Sequence, residues 1–174
     1  KLKHLRLQKY ISKSPRAVIK SLSFTETASP TVSIVIPVFN KFNLTASCLQ
    51  SIRSEVSDSV KYEVIIVDNN SKDASHMLSG IAGLVYIRNK ENLGFVEACN
   101  IGAAKAKGKY LVFLNNDALV TQGWLEVLLE TIQRSPSIGL VGSKIVYPDG
   151  RLQEAGGIIF QDASGWNYGR NDHP

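Results

Sequence analysis

Three stretches of the chain each join an apolar run to a cluster of amides and carboxylates. Leu111-Val112-Phe113-Leu114 runs into Asn115-Asn116-Asp117, Tyr62 to Val67 (YEVIIV) into Asp68-Asn69-Asn70-Ser71, and Thr31 to Val38 (TVSIVIPV) into Phe39-Asn40. Each run has the length of a buried strand and is too short for a typical helix. In an open α/β sheet, ligands sit just outside the carboxyl ends of the strands. Neighbouring parallel strands would therefore bring these clusters to one edge. Such a lining suits one nucleotide and one divalent cation. One carboxylate can accept from a base imide N–H, amides can take ribose hydroxyls, and a second carboxylate can hold Mg2+ or Mn2+ against phosphate oxygens. Asp117 stands where a metal–phosphate group would be held. Asn and Asp are also common turn residues, and local sequence alone leaves both readings of Asn115 to Asp117 open.

The elements that must position these clusters can be traced in order. Thr31 to Val38 is β-branched and almost continuously apolar, as in a strand buried on both faces. Pro37 removes a ladder donor near its end, so the chain must leave the sheet there. Asn40 or Asn43 can cap a helix whose apolar stripe is Leu44, Cys48, Leu49, Ile52 and Val56. After the second strand, Ser71 can cap a short segment from Lys72 to Ile81, with Asp73 in its first turn. Leu84 to Arg88 is a third strand and Asn89 to Gly94 (NKENLG) a loop. Phe95 to Lys107 is a closely packed helix of small residues, ended by Gly108. Tyr110 to Leu114 is the fourth strand, and Gln122 to Arg134 a further helix. Ile138 to Tyr147 is strand-like and Gly157 to Phe160 a short strand, while Gln161 to Pro174 shows no clear element. This alternation predicts an α/β fold with a mainly parallel sheet.

The 174 residues suffice for one domain, or most of one, with a real core. No stretch approaches the roughly 20 apolar residues of a membrane span. The net charge of +5 is uneven: residues 1–29 hold seven Lys or Arg against Glu26 alone, and the remainder is close to neutral. That near-neutrality argues against a nucleic-acid surface on the folded part. Residues 1–30 read as a basic linker or the tail of a preceding segment, able to lie on an anionic membrane surface. Leu2, Leu5 and Lys9 could form a short amphipathic helix there, which Pro15 would interrupt. The domain is placed from Thr31 to Pro174. Cys48 and Cys99 fall inside apolar helical patterns and read as reduced core thiols, as in a cytoplasmic protein. His4, His76 and His173 are scattered and suggest no zinc site.

Several nucleotide and hydrolase signatures are missing. There is no G-x-G-x-x-G after the first strand, no G-x-x-x-x-G-K-[ST] and no G-x-S-x-G. The sequons Asn43-Leu44-Thr45 and Asn69-Asn70-Ser71 read as structural. What the chain does carry is an ordered set: Ser33-Ile34-Val35-Ile36-Pro37-Val38-Phe39-Asn40, Val67-Asp68-Asn69-Asn70-Ser71, Asn92-Leu93-Gly94-Phe95 with Asn100, and Phe113-Leu114-Asn115-Asn116-Asp117. Together these resemble a family 2 glycosyltransferase of GT-A fold, over residues 31 to about 160. The resemblance implies a Rossmann-like α/β/α sandwich and inverting transfer of a sugar from a nucleotide-diphosphate donor to an acceptor hydroxyl, aided by Mg2+ or Mn2+. Polysaccharide or surface-glycan biosynthesis is the setting that it implies, with a glycan or lipid-linked acceptor.

By the same resemblance, Asp68 would read the base imide, and Pro37 to Asn40, Phe39 among them, would line the base and ribose pocket. Asn92, Gly94, Phe95 and Asn100 would lie beside the diphosphate-sugar. Asn115 would sit near the ribose, with Asn116 next to it, and Asp117 on the metal. For Asn40, Asn70 and Asn100, capping and Asx turns serve as well. Phe95 either stacks on the donor or joins the core, and Gly94 suits a backbone requirement more than a contact. Asn-Asn-Asp replaces the family's Asp-x-Asp and leaves one acid for the metal. It resembles the variant of rhamnosyltransferases and their relatives, which implies a UDP- or dTDP-linked donor. The family's catalytic base, an Asp or Glu beyond the nucleotide half, is expected past Pro174. The rival readings are a nucleotide-sugar-binding module without activity of its own and a nucleotidyltransferase. The latter normally has a Gly-rich basic loop after the first strand, and Pro37 to Lys41 offers little of one.

Overall fold

The computed structural model describes Tyr10 and residues 14–173. An amphipathic helix considered for Leu2, Leu5 and Lys9 lies outside the described residues. Tyr10–Gln122 form one compact unit, and a second takes in the chain from Gly123.

The first unit is built on strands β1 (Val32–Val38), β2 (Tyr62–Asp68), β3 (Leu84–Arg88) and β4 (Tyr110–Phe113). They form one parallel sheet in the order β3-β2-β1-β4. The continuous apolar runs predicted strands covered on both faces, and every residue of β1 is buried. Helix α1 spans Pro15–Ser21, α2 Phe42–Glu55 and α3 Gly94–Lys105, and a 3-10 helix covers Ala74–Gly80. The β1–α2–β2 connection runs to one side of β1 and the β3–α3–β4 connection to the other. Right-handed crossovers then put α2 and α3 on opposite faces of the sheet. On one face Val35, Ile65 and Val67 pack with Ala98, Ile101 and Ala106 of the α3 segment. The alternate residues Ile34, Ile36, Val64 and Ile66 point the other way. They are fully buried, as are Cys48, Leu49 and Ile52 of α2.

Registers align the strand ends: Val38 pairs with Asp68, and Asp68 with Arg88. On the far side of β1, Val35 pairs with Phe113, and Leu114 N–H donates to the Val35 carbonyl at 3.0 Å. The sheet thus changes direction between β1 and β4, and the crevice outside that pair is the topological switch point. At the amino end of the sheet the turn into β4 lies directly on β1. A Cβ on Gly108 would stand 2.5 Å from the Ser33 backbone nitrogen. Gly108 N–H donates to Ser33 Oγ (2.8 Å), which donates to the buried carboxylate of Glu63 (2.6 Å), itself an acceptor from Lys107 N–H (2.7 Å). Gly108→Ala is expected to cost about 1–3 kcal/mol through overpacking against backbone that cannot yield; urea unfolding measures it.

Several local expectations need correction. Residues 14–24 are not free linker. Pro15 begins a helix instead of interrupting one, since a proline at the first helical position gives up only an orphan N–H. Val18 and Ile19 of α1 are buried, and the helix packs against α2 and the 3-10 helix. Beyond it Phe24 donates N–H to Ala82 O and sets its ring edge-on to Tyr62.

Neither Asn40 nor Asn43 caps α2, and Ser71 does not cap the segment after β2. Asp73 serves both helices: Oδ2 accepts from Phe42 N–H (2.8 Å) and Oδ1 from Ser75 N–H (3.0 Å). Burial alone would raise the Asp73 pKa, but the bonds from Ser75 Oγ, Phe42 N–H and Ser75 N–H outweigh it and hold the carboxyl below its ordinary value. A depressed folded pKa gives stability that is complete above the unfolded value, about 3.9, and fades as pH falls through the folded one. Asp73→Ala is therefore expected to cost about 1–2 kcal/mol at neutral pH. The difference from wild type should shrink below about pH 4, as unfolding midpoints from pH 7 to pH 3 would record.

In the second unit, α4 spans Trp124–Gln133. Strand character predicted for Ile138 to Tyr147 is confined to β5 (Ile145–Val146), which pairs with β6 (Leu152–Glu154). The segment after Gln161, read as featureless, contains β8 (Gly165–Asn167), paired with β7 (Gly157–Ile159). Among the described residues no helix is long and apolar enough to cross a membrane.

Candidate functional site

A cleft of about 250 Å3 opens outside the carboxyl ends of β1 and β4. Pro37, Val38, Phe39 and Lys41 form one wall as the chain leaves β1, and Asn115 and Asn116 form another just after β4. Asn69, at the end of β2, and Asn92, Gly94 and Phe95, at the entry to α3, complete it. Seven of the residues singled out from the sequence thus share one cavity: Pro37, Phe39, Asn92, Gly94, Phe95, Asn115 and Asn116. Phe95 is 57% exposed and Phe39 47%. The core alternative for Phe95 therefore falls away, and two aromatic faces stand open beside amides.

The walls are held by side chains that bond to distant backbone. Asn69 is nearly buried: its N–H donates to Val38 O (2.8 Å), its Nδ2 to Gly94 O (3.0 Å), and its Oδ1 accepts from Asn89 (2.8 Å). Asn92 Oδ1 accepts from Gly94 N–H at 3.0 Å, and Gly94 itself has φ +84°, a conformation glycine adopts without penalty. Asn116 Nδ2 donates to Thr45 Oγ1 of α2 at 2.9 Å. The Cys48 thiol donates to Asn115 O at 3.8 Å. Burial, reinforced by the negative charge of Asp117, pushes that thiol up to about 12. Cys48 is therefore a protonated structural donor at neutral pH, in keeping with the reduced core thiol read from the sequence.

Asn40, Asp68, Asn70, Asn100 and Asp117 are not among the cleft-lining residues. Asp68 is fully buried behind the wall. Its Oδ1 accepts from Ser71 N–H (2.8 Å), and its Oδ2 from Tyr86 Oη (2.6 Å) and from the Arg88 guanidinium. Those donors occupy both oxygens, so the geometry gives Asp68 the task of holding the β2–β3 edge. Partial burial and the bond to Asp68 raise the Tyr86 phenol to about 12. Arg88 also donates to Ser71 O (2.8 Å) and Asn70 Oδ1 (3.2 Å). Asn40 and Asn70 are left-handed, at φ 58° and 62°. Asn40 Oδ1 accepts from Lys72 N–H and Asn70 Nδ2 donates to Lys90 O, so both are loop-shaping residues. Asn100 is exposed on α3.

Asp117 stands beside the cleft, 45% exposed, with its Oδ2 3.4 Å from Lys41 Nζ. Among the described residues no three His, Cys, Asp or Glu side chains come together. A single exposed carboxylate does not make an all-protein cation cage. It does fit a hard divalent ion that keeps several waters and takes its other ligands from phosphates. Lys41, Asn69, Tyr86 and Arg88 were passed over in choosing site residues from the sequence. The pairing of Asp68 with Arg88 depends on strand register, which no local pattern reveals.

The family model for Glycosyl transferase family 2 matches residues 33–172. This chain belongs to glycosyl transferase family 2. Glycosyltransferase AglE of Haloferax volcanii is 33% identical over 128 residues, covering 70% of this chain and 42% of that protein. O-antigen biosynthesis protein RfbC of Myxococcus xanthus is 29% identical over 151 residues, 84% of this chain and 12% of that protein. The family 2 chain therefore spans less than half the length of these relatives. Among solved structures, mannosyltransferase PcManGT from Pyrobaculum calidifontis, in complex with GDP-Man and Mn2+, superimposes with a TM-score of 0.59. It is 22% identical and covers 84% of this chain and 43% of its own. S. aureus TarS 1–349 in complex with UDP-GlcNAc gives 0.55 at 16% identity, covering 67% and 40%. At these identities the likeness is one of fold, and it bears out the mainly parallel GT-A sheet expected from the sequence.

Proposed function

We propose that the cleft binds the nucleotide-diphosphate part of a sugar donor, and that the protein passes the sugar to an acceptor hydroxyl with inversion. The observation that carries this reading is the cleft at the switch point of the sheet, where amides from the ends of β2 and β4 and the entry to α3 meet two exposed aromatic rings. Phe39 and Pro37 flank the base and ribose, with the Asn69 side chain behind them. Asn115 and Asn116 face the ribose and phosphates, and Asn92, Gly94 and Phe95 lie beside the diphosphate-sugar. Asp117 would hold the divalent cation, Mg2+ or Mn2+, whose chemistry is to neutralise charge developing on the leaving diphosphate. Inversion requires a general base on the acceptor hydroxyl. No carboxylate lines the cleft, so we assign that base to a segment outside residues 10–122. A glycan or lipid-linked acceptor, surface-glycan biosynthesis and the cytoplasmic face of a membrane complete the proposal. The basic charge of residues 1–29 is suited to an anionic surface.

Calorimetric titration with UDP, dTDP and GDP, each with and without Mn2+, tests the reading. One of the three is expected to bind, more tightly with the ion, with the UDP- and dTDP-type donors favoured by Asn115-Asn116-Asp117. Absence of binding by all three in both conditions would overturn it.

A further inference from the structure

We propose that Lys41 is a built-in cation of this site: its ammonium neutralises Asp117 in the empty cleft and moves to the diphosphate when donor and metal arrive. The inference rests on the nucleotide reading above and adds to it a residue that determines how far binding depends on metal. Three observations converge. Lys41 lines the cleft, and its Nζ lies 3.4 Å from Oδ2 of Asp117, which stands beside it. Both side chains are about half exposed, at 59% and 45%, so the pair can part without burying a charge. Lys41 also occupies a left-handed backbone position (φ 59°, ψ 40°) directly before α2.

That last point matters most. A lysine is disfavoured there, whereas glycine adopts the conformation freely. The strain is held by hydrogen bonds on either side: Asn40 N–H to Ser71 Oγ (2.7 Å), and Phe42 N–H to Asp73 Oδ2 (2.8 Å). Backbone strain retained at a ligand clamp points to a use for the side chain that it presents. A flexible ammonium on a four-carbon stem can serve a carboxylate and then a phosphate as a movable point charge. Paired with Asp117 in the empty cleft, Lys41 supplies positive charge that the metal alone would not.

The tests separate this from a structural role. In EDTA, the nucleoside diphosphate that binds wild type best is expected to lose about tenfold or more in affinity in Lys41→Gln, the worth of a charge-assisted bond. The matching nucleoside should bind wild type and variant equally, and Lys41→Arg should keep most of the affinity. Mn2+ alone, followed by paramagnetic resonance of the free ion, is expected to bind Lys41→Gln several-fold more tightly, because its competitor for Asp117 is gone. Lys41→Gly should raise the urea midpoint while losing diphosphate affinity as Lys41→Gln does. Equal loss of nucleoside and nucleoside diphosphate, or unchanged Mn2+ affinity, would overturn the proposal. Unchanged diphosphate affinity in Lys41→Gln beside a nucleotide-binding wild type would overturn it alone. A wild type that binds no nucleotide would overturn both readings.

Discussion

Asp68→Ala is expected to cost about 1–3 kcal/mol of folding stability for each buried donor it leaves unsatisfied. Together these losses are a large share of the 5–15 kcal/mol or so by which a domain is stable. The carboxylate is fully buried, and removing it strands Ser71 N–H and the Tyr86 hydroxyl and leaves Arg88 without its main partner. Asp68→Asn keeps the shape and part of the bonding and should lie between alanine and wild type. Arg88→Met should lower the urea midpoint further than Asp68→Asn, because it leaves a negative charge buried, while a stranded Arg88 can turn to water. Urea unfolding of the three variants supplies the ranking. If all three match wild type, the Asp68 network is not a structural tie.

Asp117→Ala is expected to do the opposite: little to the fold, much to the ligand. The Lys41–Asp117 pair is exposed at both ends, and such pairs are worth about 0–1 kcal/mol. Loss of the Asp117 carboxylate should abolish the enhancement of nucleotide binding by Mn2+, worth roughly 10- to 100-fold for one charged contact. Calorimetry with and without Mn2+ on wild type and variant measures the change, with thermal unfolding as the control. An undiminished Mn2+ enhancement in Asp117→Ala would remove the residue from the metal site.

What could be read from the sequence divides along physical lines. Strands β1 and β2 were legible because TVSIVIPV and YEVIIV are runs that only a doubly covered strand buries at such length. Asn115 was reachable because it directly follows the run from Leu111 to Leu114, whereas Asn92 was reached only through the family resemblance of Asn92-Leu93-Gly94-Phe95. The tasks of Asp68 and Asp73 were not, because their partners are far along the chain. Asp68 meets Tyr86 and Arg88 only once β2 and β3 lie in register, and Asp73 meets Phe42 only once two loops stand side by side. Pro15 was misjudged for a different reason: proline stops a helix from within but starts one at its first position. The short strand at Gly157 was expected, but its partner β8 was not, because three residues are too few for alternation to register.

The triple use of Asn69 has a consequence for affinity. By clasping Val38, Asn89 and Gly94 at once, it gathers the ends of β1 and β3 and the start of α3 into a single pre-set frame. A ligand that enters a frame already in place does not bear the entropy of ordering it, so more of the contact energy appears as binding. Loosening that clasp would then leave every contact to the ligand chemically intact and still weaken binding, with the loss carried by entropy rather than enthalpy.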